Sequence, residues 1–168
     1  SAAIVQALQT IVSRNTNPLD SAVVTITRLT AGDAYNVIPD RVTLGGTVRS
    51  LQESTREELE QRIRDVAGGI ATAHDCSARV EYLRGYPVTR NDPRAYQRFE
   101  AAANGSLGAD RVRPIEFPVM GGEDFSFYGE AVPACFFFLG LLEAGQTEMP
   151  ALHNARFNFN DEAIRTGI

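Results

Sequence analysis

Apolar residues recur at helical spacing from the start of the chain, at Ile4, Leu8, Ile11 and Val12. They predict an amphipathic helix to about Arg14, where Asn15-Thr16-Asn17-Pro18 stops it. Residues 22–29 are rich in Val, Ile and Thr, and Val42, Leu44 and Val48 alternate along 41–49. Two strands paired antiparallel across the loop 30–40 follow from that pattern. Ser54 with Glu57 reads as a capping box ahead of Leu59, Ile63, Val66 and Ile70, one apolar stripe on a helix ending near His74. Val80 and Tyr82 then alternate with Arg79 and Glu81 in a third strand that Gly85-Tyr86-Pro87 closes. The order to this point is αββαβ.

Turn residues and prolines cluster at 86–91, which places a domain boundary there. Asp92 as N-cap and Pro93 at the first helical position start a new helix running to about Leu107. Next come a short strand at 111–117, the glycine-acid run Met120-Gly121-Gly122-Glu123-Asp124-Phe125 and a short helix to about 130. The apolar run Ala134–Leu139 reads as a fully buried strand. A polar loop at 143–151 leads to Leu152-His153-Asn154, and Asn160-Asp161-Glu162 caps a final short helix.

Composition narrows the function classes. With 43% hydrophobic and 22% charged residues the chain has the make-up of a soluble globular protein, and no apolar run approaches the ~20 residues of a membrane span. A net charge of −5, with all 16 basic residues arginines scattered among acids, argues against a nucleic-acid surface. Cys76 and Cys135 show neither zinc-finger nor disulfide spacing, which fits a reducing cytoplasm. The N-terminus lacks the basic region of a signal peptide. It opens inside a helix without a cap, and the C-terminus cuts a helix short, so both ends are expected to be trimmed.

Several residues could carry chemistry, each with a plainer reading beside it. Gly121-Gly122-Glu123-Asp124 lets backbone approach a ligand, or is a tight turn capped by Asp124 or Glu123, and neither carboxylate is assigned as a base. Asn36 and Arg49 are an amide and a guanidinium suited to a substrate carbonyl and carboxylate, or a turn cap and a surface ion pair. Arg41 and Arg49 at the two ends of one strand stand on the order of 26 Å apart. If Asn36 and Arg49 both hold substrate, a symmetric dimer whose Asn36 loop reaches the partner's site is the simplest geometry. His153 is a metal ligand or a structural histidine, and His74 reads as solvent-facing near a helix end.

Asn36-Val37-Ile38-Pro39-Asp40, Gly46-Thr47-Val48-Arg49, Gly85-Tyr86-Pro87, the glycine-acid run, Phe136-Phe137-Phe138-Leu139-Gly140 and Leu152-His153-Asn154 together resemble, in this order, a known family. It is the metal-dependent amidohydrolase family of aminoacylases, hippurate hydrolases and indole-acetyl-amino-acid hydrolases, and the likeness covers essentially the whole chain. It implies an α+β lid domain at 1–88, a two-layer antiparallel sheet with two helices whose first strand is missing. This is joined to a C-terminal α/β piece of a larger catalytic domain at 89–168. It implies that His153 is a metal ligand, that Asn36 and Arg49 hold substrate, and that Gly121 and Gly122 line the pocket. It implies a small N-acyl amino acid or amide as substrate, a homodimer formed through the lid, and no nucleic-acid or membrane partner. Two divalent ions (Zn, Mn, Co or Ni) would supply an activated water. The Gly-His-Asp and paired-glutamate motifs that hold them and supply the general base are absent from these residues, as is the Gly-Gly-His-Ala strand of the lid. His153-Asn154-Ala155 stands where relatives usually have His-His-Pro or His-Asn-Pro. The implied function is metal-dependent amide hydrolysis by a longer protein, with this piece alone inactive and unable to hold the metals. The alternative is a self-sufficient dimerisation or ligand-binding module.

Overall fold

The computed structural model describes residues 1–168, which divide into two compact units. The first comprises Ser1–Val88 with Pro118–Ser126; the second comprises Thr89–Phe117 with Phe127–Ile168.

The first unit opens with helix α1, Ala2–Thr10, whose last turn widens into a π-helical turn at Ile11–Asn15. There the amide and hydroxyl of Thr16 both donate to the Ile11 carbonyl, at 2.9 and 3.1 Å. Strands β1, Ala22–Ala31, and β2, Val42–Ser50, form a two-stranded antiparallel sheet. Its register runs from Ala22 opposite Ser50 to Ala31 opposite Val42, with a bulge between Ile26 and Arg28. Helix α2, Glu53–Thr72, lays Leu59, Ala67 and Ala71 inward. Leu8, Ile11, Val24 and Leu59 form the core, with Ile4, Val12, Ile26, Val48, Ile63 and Val66 packed around it. One face of the sheet is thus covered by two helices, as alternation along β1 and the 3.6-residue period along α2 require.

Three details differ from the sequence pattern. First, α2 begins at Glu53 with Gln52 as N-cap and no side-chain cap bond, so Ser54 lies inside the helix and the expected box does not form. Gln52 instead uses its side-chain amide to reach Asp20 at 3.0 Å. Second, α2 ends in a Schellman-type turn: the Cys76 amide reaches the Ala71 carbonyl, the Asp75 amide reaches Thr72, and Asp75 takes a left-handed φ of 54°. Third, residues 79–85 join no ladder. Val80 and Tyr82 are half-buried while Arg79 and Glu81 are exposed, so the alternation is real. The chain is nevertheless held to α2 by side chains and not by strand pairing. Arg64 donates to the Val80 carbonyl at 2.7 Å and Arg56 to the Gly85 carbonyl at 3.1 Å, while Arg84 spans Glu53 and Glu60.

In the second unit, helix α3, Pro93–Leu107, starts where the sequence placed it, with the Asp92 carboxylate accepting from the Arg94 and Ala95 amides. The short helices α4, Ser126–Ala131, and α5, Ile164–Gly167, follow, the first of them straddling the two units. A 3-10 turn capped by the Asn160 side chain precedes α5. The strands expected at 111–117 and 134–139 are not formed. Residues 134–139 are half-buried to exposed, and their printed backbone partners are the Asn91 side chain and the Asp92 amide. A strand exists only by pairing, and neither segment has a strand beside it in this chain.

Candidate functional site

Arg49 is the penultimate residue of β2, opposite Val23, at the end of the sheet remote from the 32–41 connection. Its guanidinium does not form a surface ion pair. Nη1 donates to the carbonyl of Met120, the residue that opens the glycine-acid run. In that run the Tyr86 ring stands over Gly122, so a Cβ there would meet the ring edge at 3.2 Å. Any residue larger than glycine would push the loop off the ring. Glu123 behaves as a turn cap: its carboxylate accepts from the Phe125 amide, and its carbonyl accepts from the Ser126 amide and hydroxyl at 3.2 and 2.6 Å. Gly121 and Gly122 are exposed, and Ser126 is buried beneath the turn.

Asn36 sits in an exposed turn on the 32–41 connection, with Val37 donating back to Ala34. Its neighbours Tyr35, Val37 and Ile38 are also solvent-facing. The ladder register puts this connection beyond the Ala31–Val42 pair, while Arg49 lies near the Ala22–Ser50 end. Asn36 and Arg49 are therefore not brought together within the first unit.

His153, in the second unit, is exposed and has a φ of 68°. It and Asp75 are the non-glycine residues with positive φ. Asp75 is accounted for by the end of α2, whereas His153 belongs to no helix end. It projects from a turn fastened by Asn154, whose amide reaches Ala151 and whose side chain and carbonyl accept from Arg156 and Phe157. Left-handed backbone at a non-glycine residue is costly and concentrates where a side chain must be presented. His74, by contrast, is an exposed residue of the turn that ends α2.

Nowhere do three His, Cys, Asp or Glu side chains converge as a metal would require. His153 is one available donor, and the residues present do not by themselves fit a metal ion. The two most pronounced concavities do not include the candidate residues. One, of about 410 Å³, lies between the π-turn and α2, lined by Ile11, Thr16, Thr55 and Leu59 among others; the other lies around Asn91 and Pro133. Pattern reading overlooked Tyr86 and Met120 as parts of a site, although Gly85-Tyr86-Pro87 stood out as a motif. Proximity to Gly122 was the missing datum.

Comparison with known proteins fits these observations. The profile of peptidase family M20/M25/M40 matches residues 3–168. An Arabidopsis thaliana protein named IAA-amino acid hydrolase ILR1-like 4 is 36% identical over 98% of this chain and 38% of its own length. An N-acetyldiaminopimelate deacetylase of Anoxybacillus flavithermus is 38% identical over 100% of the chain and 43% of its own length. Among solved structures, a dinuclear metal-binding peptidase of the M20 family from Bacillus subtilis superposes with a TM-score of 0.74 at 31% identity, over 98% of this chain and 41% of that one. The chain thus spans about two fifths of the length of the relatives it matches. Its two-stranded antiparallel sheet with helices agrees with those structures, and the family is one of hydrolases that includes amidohydrolases and deacetylases. With the match running through nearly every residue, the chain belongs to peptidase family M20/M25/M40.

Proposed function

We propose that these residues are the C-terminal part of a metal-dependent amidohydrolase that cleaves the amide bond of N-acyl amino acids or related small amides. The observation that carries the reading is the pairing of a family match across 3–168 with a donor set that stops at one presented imidazole, His153. On this reading residues 1–88 are most of a lid and dimerisation domain, and 89–168 the end of the catalytic domain. Two divalent ions are held mainly by upstream residues, with His153 as one ligand, and the general base also lies upstream. Glu123 is unsuited to that task because its oxygens are committed to the turn before α4.

Asn36, Arg49, Gly121 and Gly122 act on substrate. Arg49 offers a guanidinium to the substrate carboxylate, a planar pair that lysine does not reproduce. Asn36 reaches the site of the partner subunit in a homodimer built through the lid, which the ladder register favours because it separates Asn36 from Arg49. No helix is long and apolar enough to cross a membrane, and a cytoplasmic location is the companion proposal.

The test compares the 168-residue chain with the protein extended upstream in its gene, each assayed on N-acetyl amino acids with Zn, Mn, Co or Ni. The extended protein hydrolyses them, loses activity to chelator and loses metal content in His153→Ala, and the short chain is inert. Metal-dependent hydrolysis by the short chain would refute the division of labour. An upstream gene without metal-ligand motifs would favour the self-sufficient binding module.

A further inference from the structure

We propose that Arg49 and Tyr86 are positioning residues that clamp the glycine-acid loop, so that a carboxylate held by Arg49 is registered against the Gly121–Gly122 backbone. The inference rests on the reading above for its functional meaning, but the clamp itself stands on two contacts within the first unit. The Arg49 guanidinium donates to the Met120 carbonyl at the front of the loop, and the Tyr86 ring edge lies against the α-carbon of Gly122 two residues on. Tyr86 is in turn anchored through its neighbour, because Arg56 on α2 donates to the Gly85 carbonyl at 3.1 Å. The loop is therefore gripped from β2 on one side and from the chain fastened to α2 on the other.

Arginine suits both tasks at once. A guanidinium carries five N–H donors in a rigid fork. One is spent on Met120, and the remainder can meet a carboxylate in the same plane. A lysine in its place would keep the charge but, without the fork, would not fix the angle between the two partners. Arg49 is exposed, so an incoming anion can reach it. Gly122 completes the clamp because the hydrogen that a Cβ would replace points at the Tyr86 ring.

That hydrogen is also the reporter. In NMR spectra of the 168-residue chain, one Gly122 α-proton is displaced upfield by the Tyr86 ring. Tyr86→Phe preserves the displacement and Tyr86→Leu abolishes it. Arg49→Met moves the Gly122 and Gly121 signals toward random-coil positions, and Arg49→Lys does so in part, while signals of the β1–β2 ladder stay in place. Gly122→Ala, made with Arg49 intact, displaces the Gly121 amide and the Tyr86 ring signals and approaches the clamp from the loop side.

A Gly122 α-proton already at its random-coil position, or Gly121 signals unmoved in both Arg49→Met and Gly122→Ala, would overturn the clamp. In the extended protein with an N-acetyl amino acid, Arg49→Lys raises KM at least tenfold, and Tyr86→Leu lowers kcat with a smaller change in KM. Absence of hydrolysis in the extended wild-type protein sinks the functional reading and leaves the NMR clamp standing. Hydrolysis with an insensitive Gly122 sinks the clamp alone.

Discussion

Helices α2 and α3 are equally easy to see in the sequence and differ in what covers them. α2 buries Thr55, Leu59, Ala67 and Ala71 under α1 and the sheet, whereas α3 has a well-made N-cap and an amphipathic stripe but no buried residue. The contrast extends to the units that contain them. Every buried apolar side chain except Ala163 belongs to the first unit. The second leaves Phe117 at 70%, Leu152 at 65% and Phe138 at 59% of full exposure. Local signals form a helix, but only an apposed surface stabilises it, because helix propensity alone is marginal at this length. The first unit has an apposed surface of its own. The second has the periodicity of a packed layer without the layer to pack on, as expected of polypeptide that accounts for about two fifths of its relatives' length.

Breaking the covered side should have the largest effect. Leu59→Ala empties a site with 2% exposure and should cost about 2–5 kcal/mol, whereas Phe138→Ala, at 59% exposure, should cost within about 0.5 kcal/mol. Urea titration of both variants checks the asymmetry, and equal losses would erase it. Amide exchange sharpens the same point without mutation. The amides of α3 should exchange at least about tenfold faster than those of α2, a difference of about 1.4 kcal/mol in opening free energy. Adding the upstream polypeptide should close that gap.

A smaller effect lies at the end of α2. Asp75→Gly removes a left-handed non-glycine residue and should raise stability by up to about 1 kcal/mol, read as a shift of the first unit's urea midpoint alone. The smallest concerns charge. The Glu60 carboxyl is held below its ordinary range, first by the hydrogen bond from Arg64 and then by Arg84, against some opposing desolvation. A depressed folded-state pKa contributes stability that is present above the unfolded value and lost as pH falls through the folded one. Glu60→Gln should therefore flatten the acid limb of the first unit's pH–stability curve and leave the neutral region nearly unchanged. A steeper acid limb in the variant would contradict the assignment.

Legibility followed the same division. Asp92 and Pro93 announced the start of α3 because a cap is a local event, completed within three residues. The box expected from Ser54 and Glu57 failed because a longer-range bond between Gln52 and Asp20 accompanies an earlier start, and sequence spacing carries no trace of such a partner. Alternation at 79–85 correctly reported which side chains face inward and wrongly implied a ladder, since the period reveals the face and not the neighbour. In the candidate site, residue types pointed to Arg49 and the glycines. The contact of Arg49 with Met120, 71 positions away, is a property of the tertiary arrangement that no pattern of spacing encodes.

The bulge between Ile26 and Arg28 gives the hairpin a pivot. On the near side Val24, Ile26 and Val48 are rooted in the core; beyond it β1 is exposed at every position. Gly46 sits opposite the irregularity so tightly that a Cβ would run into the Thr25 carbonyl, which makes this point intolerant of bulk while the distal ribbon is free of packing. The ribbon from Arg28 to Ala31 and Val42 to Gly45 is in effect a cantilever of about 13 Å carrying Asn36 near its tip. A change of about 20° in local twist, the ordinary angle between adjacent strands, would sweep that amide through roughly 5 Å. Reach, and not affinity, is then the quantity that a substitution at Gly46 would alter.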